Sequence, residues 1–343
     1  MKNIFVSIII ANFNGEKYLS TCLSSVCKTT YTNFEILIVD DGSTDRSEKI
    51  IIDFQKKDKR IHLQKNDINT GAAASRNKAA AVAKGEILIF LDNDTEVDAN
   101  WLSHMLEIFR RDASIGGCQA LLVDFEKRNQ IQTAGTKLWA MTGWALPIGQ
   151  NDAPQSVTKE TDIIALSAAL AVRKTIFEKI GGFDELESVV TEDLDFSWRV
   201  WLAGYRIVLS PKSIVYHWTK SVDMRKNMQH SKEIIYFHLT KNSLMSILKN
   251  YELYNAIKFS ITSLFISLGR SIVVLIKRKD ISAWKGTMRG LFWILSHFSL
   301  ILEKRKLIQK IRNYSDAVLF STVIQRLSLR SVYTDYFQQT NLI

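Results

Sequence analysis

The first hundred residues alternate between short apolar runs and segments with helical spacing. Strand and helix pairs are predicted at Val6–Ile10 and Glu16–Lys28, at Phe34–Val39 and a helix to about Lys57, and at Ile61–Gln64 and Gly71–Lys84, followed by a strand at Ile87–Leu91. Ser43 or Thr44 is placed to cap the second helix. Three repeats of strand, turn and helix predict an α/β fold with a parallel, doubly wound sheet, whose ligands bind at the carboxyl ends of the strands.

The pattern loosens after a further predicted helix, Asp98–Arg111. The predicted elements are strands or loops over Gly116–Phe125 and Gln130–Ile148, an apolar strand Asp162–Val172, helices Lys174–Ile180 and Thr191–Leu202, and short strands Tyr205–Leu209 and Ser213–Tyr216. Beyond about Asn227 only helical periodicity remains. We therefore expect an α/β domain over residues 1–220 and a helical region over 221–343.

The composition is that of a globular protein. Of 343 residues, 46% are hydrophobic and 23% charged, which excludes disorder and fibrous repeats. Cys22, Cys27 and Cys118 cannot form a disulfide framework and match no metal-binding spacing, so we expect free thiols in a reducing compartment. An apolar run of strand character follows Met1–Asn3 with no cleavage site, so we expect no secretory signal and a cytoplasmic body.

Charge is distributed unevenly along the chain. Residues 1–219 hold 25 Lys and Arg against 28 Asp and Glu, whereas residues 220–343 hold 20 against 7. The basic residues of the second part are interleaved with long apolar stretches such as Ser260–Ile276 and Leu291–Leu302. This combination favours an anionic membrane surface over nucleic acid as the partner.

Three acidic clusters stand where a predicted strand ends or a helix begins. They are Asp40 with Asp41, Asp92 with Asp94, and Glu192 with Asp193 and Asp195. Crowded carboxylates repel one another unless a cation or donor relieves them, and Asp-x-Asp suits a divalent cation that bridges phosphates. Any one cluster alone could be a helix cap or a solvated turn. Three clusters at one edge of a sheet are far more specific and predict a metal-assisted site.

Several other chemistries find no support in the sequence. It contains no histidine and cysteine metal set, no Ser–His–Asp order, no Walker-type loop and no Gly-x-Gly-x-x-Gly motif. Zinc hydrolysis, ATP hydrolysis and dinucleotide redox chemistry are therefore not indicated.

A series of motifs in residues 1–220 resembles the family 2 glycosyltransferases. In chain order these are Val6–Gly15, Val39–Asp45, Asn69–Asn77, Leu91–Asp94, Gly181–Glu185, Thr191–Arg199 and Ser210–His217. The pattern is similar to the bacterial rhamnosyltransferase-like branch that builds surface polysaccharides. The resemblance implies an inverting enzyme of the GT-A fold, with a nucleotide-binding half over 1–98 and an acceptor half over 99–220.

The resemblance assigns most nucleotide-sugar contacts to the first half. The residues concerned are Ala11, Asn12, Asp40, Asp41, Asn69, Gly71, Arg76, Asn77, Asp92 and Asn93. Asp41 is expected to accept a hydrogen bond from the pyrimidine N–H, with Asp40 as support, and Arg76 to supply charge to the diphosphate. An Arg on an Ala-rich helix can equally be a surface residue. Ala11 departs from the family, in which a hydroxyl residue is common, so part of the base contact is lost or made by backbone.

The metal and the general base are assigned in the same way. The resemblance makes Asp94 a direct ligand of Mg²⁺ or Mn²⁺, with Asp92 facing the ribose or the metal and His217 reaching the metal or diphosphate. Inversion needs one carboxylate to take the proton of the acceptor hydroxyl. We assign that role to Asp193, with Glu192 and Asp195 beside it at the amino end of a helix. The alternatives are a structural His217 and three acids that simply cap the helix.

The basic tail favours an interfacial amphipathic helix. Apolar residues from Ile257 to Ile276 fall on one stripe, and Lys258 and Arg270 interrupt the run before it could span a bilayer. Lys277–Lys279 and Lys304–Lys306 would then lie against lipid headgroups. A spanning helix, a helical pair covering the catalytic domain and a homodimer interface remain alternatives.

The predicted function is transfer of a sugar from a UDP- or dTDP-sugar to a hydroxyl acceptor with inversion. The acceptor is expected to be a glycan or a lipid-linked glycan in cell-surface polysaccharide synthesis, at the inner face of the membrane. A catalytically silent sugar-nucleotide-binding or scaffold subunit is the alternative. Joint presence of Asp41, Asp92, Asp94 and Asp193 argues against that alternative, since a silent protein needs no base. A nucleotidyltransferase would need a Gly-rich signature that Val6–Gly15 lacks.

Overall fold

The structure is a computed structural model that describes residues 3–187, 191–218 and 232–332. Its strands are β1 (Val6–Asn12), β2 (Phe34–Asp41), β3 (Ile61–Asn66), β4 (Ile87–Asp92), β5 (Thr95–Val97), β6 (Ile115–Asp124), β7 (Ile131–Thr133), β8 (Thr136–Trp139), β9 (Ala145–Pro147), β10 (Ala169–Arg173), β11 (Arg206–His217) and β12 (Ile324–Gln325). Its helices are α1 (Glu16–Cys27), α2 (Ser47–Lys57), α3 (Ala72–Val82), α4 (Trp101–Arg111), α5 (Lys174–Lys179), α6 (Glu192–Leu202), α7 (Lys232–Asn250), α8 (Leu253–Arg278), α9 (Ser282–Ser296), α10 (Phe298–Ile311), α11 (Asp316–Thr322) and α12 (Leu329–Val332).

The large sheet is mostly parallel, as predicted. Its strands follow the order β3-β2-β1-β4-β10-β6-β11-β5, and β7 pairs with β6. The pairs among β1 to β4 are parallel, whereas β10 runs antiparallel to both of its neighbours. Every residue of β2 is buried. Parallel strands are usually covered by helices on both faces, so their sequences are nearly continuous apolar runs.

Strand register brings the first two acidic clusters to one edge. Asn12 at the end of β1 pairs with Asp40 of β2, and Ala11 pairs with Asp92 of β4. Parallel strands end at the same edge, so the polar residues that terminate them become neighbours. The predicted convergence of the Asp40 and Asp92 clusters is confirmed.

Two strand predictions are corrected. The apolar segment Asp162–Val172 forms a strand only as β10, because residues 162–168 pair at isolated bridges and the Leu166 N–H donates to Gln119 Oε1 at 2.6 Å rather than to a ladder. The two short strands predicted over 205–216 are one strand, β11, with a register shift between Ser210 and Ile214. This bulge lets one strand pair with β6 along its length.

The predicted cap of the second helix is also wrong. The helix begins at Ser47, and Asp45 Oδ1 accepts the Ser47 N–H at 2.9 Å. Ser43 instead donates its hydroxyl to Asp40 Oδ1 at 2.6 Å. The Ser43 hydroxyl therefore bonds to a carboxylate, a stronger acceptor, and does not cap the helix.

The chain divides into two compact units, one of which is mainly helical. The first unit comprises Met1–Thr136, Pro147–Val200 and Tyr205–Asp223, and the helical unit comprises Lys137–Leu146, Trp201–Gly204 and Met224–Ile343. The predicted boundary at 220/221 lies outside the described residues, and the division at residue 98 stays a prediction. The insertion at 137–146 is held in the helical unit by hydrogen bonds such as Trp139 Nε1 to the Leu327 carbonyl, 3.0 Å.

Small residues line the inner contacts of the helical unit. On α8 the serines Ser263, Ser267 and Ser271 are buried together with Phe259 and Val274, whereas other large apolar side chains of that helix, such as Phe265 and Ile276, are exposed. A Cβ at Gly286 of α9 would overlap the carbonyl oxygen of Glu233 on α7, so only glycine permits this helix contact. Leu291–Leu302 does not form one helix, because α9 ends at Ser296 and α10 begins at Phe298.

All three cysteines are free thiols, as predicted. Burial raises the pKa of Cys22 to about 12 and that of Cys27 to about 11. Neither thiol is therefore a nucleophile at neutral pH.

Candidate functional site

Asp41 lies at the end of β2, and its carboxylate is surrounded by hydrogen-bond donors from the end of β3 and the loop before α3. Its carboxylate accepts from Asn66 Nδ2 at 2.7 Å, from Thr70 N and Oγ1 at 2.9 Å each, and from Gly71 N at 2.8 Å. Burial opposes ionisation, but these bonds outweigh it and hold the pKa of Asp41 below its ordinary value. Gly71 has φ +90°, which favours glycine at this turn. Three donors occupy Oδ1 and one occupies Oδ2, so Oδ2 retains acceptor capacity.

Asn12 links the ends of three strands. Its Nδ2 donates to Asp40 Oδ1 at 2.8 Å and to Ser43 Oγ at 3.2 Å, and its Oδ1 accepts from Asn93 Nδ2 at 2.7 Å. Asn12 and Asp40 are buried. A Cβ at Gly15 would overlap the side-chain amides of Asn12 and Asn93 and displace the hydrogen bond between them, which favours glycine in the turn after β1. This network fixes the framework beneath the site.

Three other residues predicted to contact the nucleotide, Ala11, Asn69 and Asn77, lie in three different local environments. Ala11 is half-buried in β1, and Asn69 is exposed and accepts the N–H of Gly71 at 3.1 Å. Asn77 uses both ends of its amide on another loop: Oδ1 accepts the Phe183 N–H at 2.9 Å, and Nδ2 donates to the Phe183 carbonyl at 2.9 Å. Its nucleotide contact stays a prediction, and its observed contacts are those of a residue that holds the Phe183 loop.

Arg76 joins two of the acidic clusters. The side chain is 4% exposed on α3, which differs from a surface position. Its Nη2 donates to Asp92 Oδ1 at 2.7 Å, and its Nη1 donates to Glu192 Oε1 at 3.1 Å. Burial works against the charge of Arg76, but the carboxylates of Asp92 and Glu192 outweigh it and raise its pKa. The end of β4 and the start of α6 therefore belong to one site.

Asp193 follows Glu192 at the amino end of α6 and is half-buried. Its Oδ2 accepts the Ser167 N–H at 3.1 Å, and its Oδ1 accepts the Leu194 N–H at 2.8 Å. Burial and the charge of Glu192 raise the pKa of Asp193 to about 7, against the lowering effects of Ser167 and Arg76. A carboxylate with this pKa is matched to proton transfer near neutral pH.

Asp195 does not join the other two acids of its cluster. It is buried, and its Oδ2 accepts from Arg199 Nε at 2.7 Å. Its carboxylate lies beside those of Asp184 and Glu187, also buried. The pairing with Arg199 gives Asp195 a structural position.

Asp92, Asp94 and His217 form a group able to hold a metal ion. Each offers one ligand atom, and these atoms lie within 4.8 Å of one another. His217 Nε2 lies 3.2 Å from Asp94 Oδ1. Burial alone would lower the pKa of His217, but the hydrogen bond and charge of Asp94 outweigh it and raise that pKa. Two carboxylates and an imidazole fit Mg²⁺ or Mn²⁺, and Mn²⁺ accepts the nitrogen ligand more readily.

Sequence reasoning missed two residues next to this group. Gln132 Oε1 lies 2.7 Å from His217 Nδ1, and an acceptor there keeps the proton on Nδ1 and leaves Nε2 for a ligand. The Trp218 N–H donates to the Asp94 carbonyl at 3.1 Å, and its ring packs 5.2 Å from that of Tyr18. Trp218 follows His217 directly, so adjacency was a usable signal, whereas nothing in the sequence relates Gln132 to His217.

Comparisons with known proteins agree with this geometry. The family model described as "Glycosyl transferase family 2" matches residues 7–181. O-antigen biosynthesis protein RfbC of Myxococcus xanthus is 32% identical over 223 residues, which cover 62% of this chain and 17% of RfbC. The UDP-Glc:alpha-D-GlcNAc-diphosphoundecaprenol beta-1,3-glucosyltransferase WfgD of Escherichia coli is 39% identical over 108 residues, covering 32% of this chain and 40% of WfgD. The chain thus spans less than half the length of either relative.

Among solved structures, GalNAc-T7 with UDP, GalNAc and Mn²⁺ superposes with a TM-score of 0.65. It shares 19% identity, and the match covers 97% of this chain and 58% of GalNAc-T7. At that identity the likeness concerns the fold alone, and it confirms the predicted GT-A fold.

Proposed function

Because this chain belongs to glycosyl transferase family 2, we propose that it transfers a sugar from a nucleoside diphosphate sugar to a hydroxyl acceptor by direct, inverting displacement. The observation that carries the proposal is the bridge by Arg76, which ties Asp92 of the metal-binding group to Glu192 beside the raised-pKa carboxylate of Asp193. Donor and acceptor chemistry thus have their groups in one site.

The donor side is assigned to the strand ends. We assign Asp41 Oδ2, which keeps acceptor capacity, to the pyrimidine N–H of a UDP- or dTDP-sugar. Asp92, Asp94 and His217 would hold Mg²⁺ or Mn²⁺, and when bound the cation supplies positive charge to the leaving diphosphate. Arg76 adds a fixed positive charge beside the same carboxylates, and the low exposure of this guanidinium strengthens its field.

The acceptor side is assigned to the start of α6. Asp193 takes the proton of the acceptor hydroxyl as the new glycosidic bond forms, and the Ser167 N–H orients its carboxylate. Glu192 is a positioning residue, because its carboxylate is held by Arg76. Attack on the anomeric carbon from the side opposite the diphosphate gives an inverted product.

The proposed setting is cell-surface polysaccharide synthesis, with a glycan or lipid-linked glycan as acceptor. The names of RfbC and WfgD, an O-antigen biosynthesis protein and a transferase acting on a diphosphoundecaprenol glycan, support it.

A panel of UDP- and dTDP-sugars with Mn²⁺ tests the proposal. We expect one donor to release its nucleoside diphosphate slowly in water and faster with an acceptor glycan, and both reactions to stop in EDTA. Nuclear magnetic resonance of the first product should show the inverted anomer. Nucleotide binding without hydrolysis or transfer would point to the silent scaffold, and a retained anomer would contradict direct displacement.

We further propose that the helical unit docks on an anionic membrane surface. Among the described residues, fourteen of nineteen exposed large apolar side chains lie between Leu253 and Leu307. Exposed apolar side chains concentrated in one part of a chain mark an interaction surface. Phe265 and Ile276 of α8 are 68% and 71% exposed. The helix has the length and hydropathy, 1.9, of a membrane span, yet the serines on its other face are packed inside the unit, which favours an interfacial position.

Basic residues near the apolar side chains supply positive charge that would face the anionic membrane surface. Lys277, Arg278 and Lys279 at the end of α8 are exposed. Each Lys or Arg near an anionic surface contributes about 1 kcal/mol to binding. The second predicted headgroup cluster is smaller than expected, because Arg305 Nη1 donates to the Leu248 and Tyr251 carbonyls at 2.6 and 2.7 Å.

Vesicle binding is expected to fall strongly in Phe265→Asn combined with Ile276→Asn, because both apolar contacts with the acyl chains are lost. Co-sedimentation with phosphatidylglycerol vesicles measures it. Val82→Asn, which alters an exposed apolar residue of α3 in the first unit, should bind like the unmodified chain. Truncation is avoided because residues 137–146 belong to the helical unit.

Three outcomes separate the alternatives for this surface. Equal binding to neutral and anionic vesicles at low and high salt would remove the electrostatic part of the proposal. Extraction only by detergent would favour a spanning helix. A solution dimer that dissociates in the double variant, with no vesicle binding, would identify a homodimer interface instead.

A further inference from the structure

Arg270 of α8 is a half-buried cation in the helical unit, and no acidic side chain among the described residues pairs with it. Its guanidinium carbon lies 4.9 Å from the ring centroid of Trp144 and 5.2 Å from that of Tyr236. Its Nε and Nη2 are buried and make no hydrogen bond. The residue as a whole is half-buried, as are the two aromatic residues, so the site is not sealed.

The other arginines packed inside this unit are satisfied. Arg305 donates to two backbone carbonyls, and Arg312 pairs with Asp316 at 3.2 Å. Two aromatic faces offset part of the cost of burying the Arg270 charge but cannot accept its N–H groups in the guanidinium plane. Burial lowers the pKa of Arg270 to about 10, so the group still carries its charge at neutral pH.

A second unsatisfied donor lies one turn away on the same helix face. Ser267 Oγ, three residues before Arg270, is buried without a hydrogen-bond partner. On α7, Thr240 lies four residues after Tyr236 on the same face, and its Oγ1 is likewise buried without a partner. Buried polar groups are normally paired, so these donors are available to an acceptor that a bound ligand supplies.

We propose that Arg270, between Trp144 and Tyr236, is the centre of a phosphate-binding site in the helical unit. The planar N–H fork of Arg matches two oxygens of a phosphate ester, and a phosphate is the anion that an acidic lipid or a lipid-linked glycan presents beside its apolar chain. The exposed apolar surface of α8 would receive that chain. The lipid-linked source of the phosphate rests on the proposed function, whereas a phospholipid headgroup does not.

Thermal melting and calorimetry of the full chain with inorganic phosphate and pyrophosphate test the site. We expect pyrophosphate to raise the Tm of the unmodified chain, and Arg270→Gln to weaken pyrophosphate binding by about tenfold or more. Arg270→Lys keeps the charge but not the fork, so its binding should be intermediate. Lys258→Gln removes an exposed cation from the same helix and should bind pyrophosphate like the unmodified chain.

Vesicles identify the source of the phosphate. Phosphatidylcholine vesicles that carry either phosphatidylglycerol or a polyprenyl diphosphate are compared, and the one whose binding is lost in Arg270→Gln is the source. If Arg270→Gln shows no cooperative unfolding, Arg270→Lys decides. Equal pyrophosphate affinity in the unmodified and Arg270→Lys chains, or no phosphate-dependent rise in Tm, would overturn the proposal. Donor hydrolysis by the unmodified chain reports separately on the proposed function.

Discussion

Asp193→Asn is expected to lower turnover by about 10²- to 10⁴-fold while donor affinity stays nearly unchanged. Asparagine keeps the size of the side chain and its acceptor for the Ser167 N–H, but it cannot take a proton from the acceptor. A single-turnover transfer assay, beside calorimetric donor binding, separates the chemical step from binding. The proposed role predicts that the rate of the chemical step falls and that donor affinity does not change.

Two neighbouring acids provide matched controls for this variant. Glu192→Gln should cost less turnover, because Glu192 is held by Arg76 and orients the site. Asp195→Asn should mainly lower the Tm, because it weakens a buried ion pair with Arg199. Near-normal transfer by Asp193→Asn, with transfer abolished in either control, would place the base on another carboxylate.

The same residue sets an expected pH dependence. With a pKa of about 7, Asp193 becomes an active base only as it loses its proton, so transfer should rise with pH through about 7. The pKa of Asp193 is higher in the folded chain than in the unfolded chain. The free energy of unfolding of the unmodified chain should therefore fall as pH rises from about 4 to about 7. Relative to the unmodified chain, Asp193→Asn should therefore gain Tm with rising pH. A flat Tm difference across this range would contradict the raised pKa.

Asp94→Ala is expected to abolish the Mn²⁺ dependence of nucleoside diphosphate binding and leave the fold intact. Removing one of three candidate ligands leaves Asp92 and His217, too few to hold a cation against water. Loss of the carboxylate should also lower the pKa of His217, because Asp94 raises it. Calorimetry with UDP or dTDP, with and without Mn²⁺, measures the first effect, and the His217 proton resonances report the second.

Asp152→Ala removes an exposed carboxylate from another loop and serves as the control for charge alone. It should show the same Mn²⁺-linked nucleotide binding as the unmodified chain. Unchanged metal-linked binding in Asp94→Ala would mean that the cation is held elsewhere. A circular dichroism spectrum that matches the unmodified chain excludes loss of fold as the cause.

Local pattern was sufficient to predict the strands and helices of the first hundred residues. β-branched runs ended by Asp, Asn and Gly specify strands and turns over a few residues, and parallel pairing then aligns their carboxyl ends. The Asp40 and Asp92 clusters therefore meet as predicted. Two predictions failed because a side chain from elsewhere in the chain forms the hydrogen bond. Asp40 accepts the Ser43 hydroxyl that was expected to cap a helix, and Gln119 accepts the Leu166 N–H that was expected to join a strand ladder.

The sequence by itself therefore determined the strands and helices of the first hundred residues, the acidic residues at the sheet edge and the basic, apolar character of the tail. Only the tertiary structure decided which of these residues act together. Arg76 meets Glu192 across 116 positions of chain, a contact that depends on how α3 and α6 pack. Asp193 and Asp195 are two positions apart, which turns their side chains about 200° from each other on a helix, so one can face Ser167 while the other is buried against Arg199. On α8 packing placed Ser263, Ser267 and Ser271 in the interior beside Phe259 and Val274 and left Phe265, Ile272 and Ile276 exposed, because small side chains let helices approach closely.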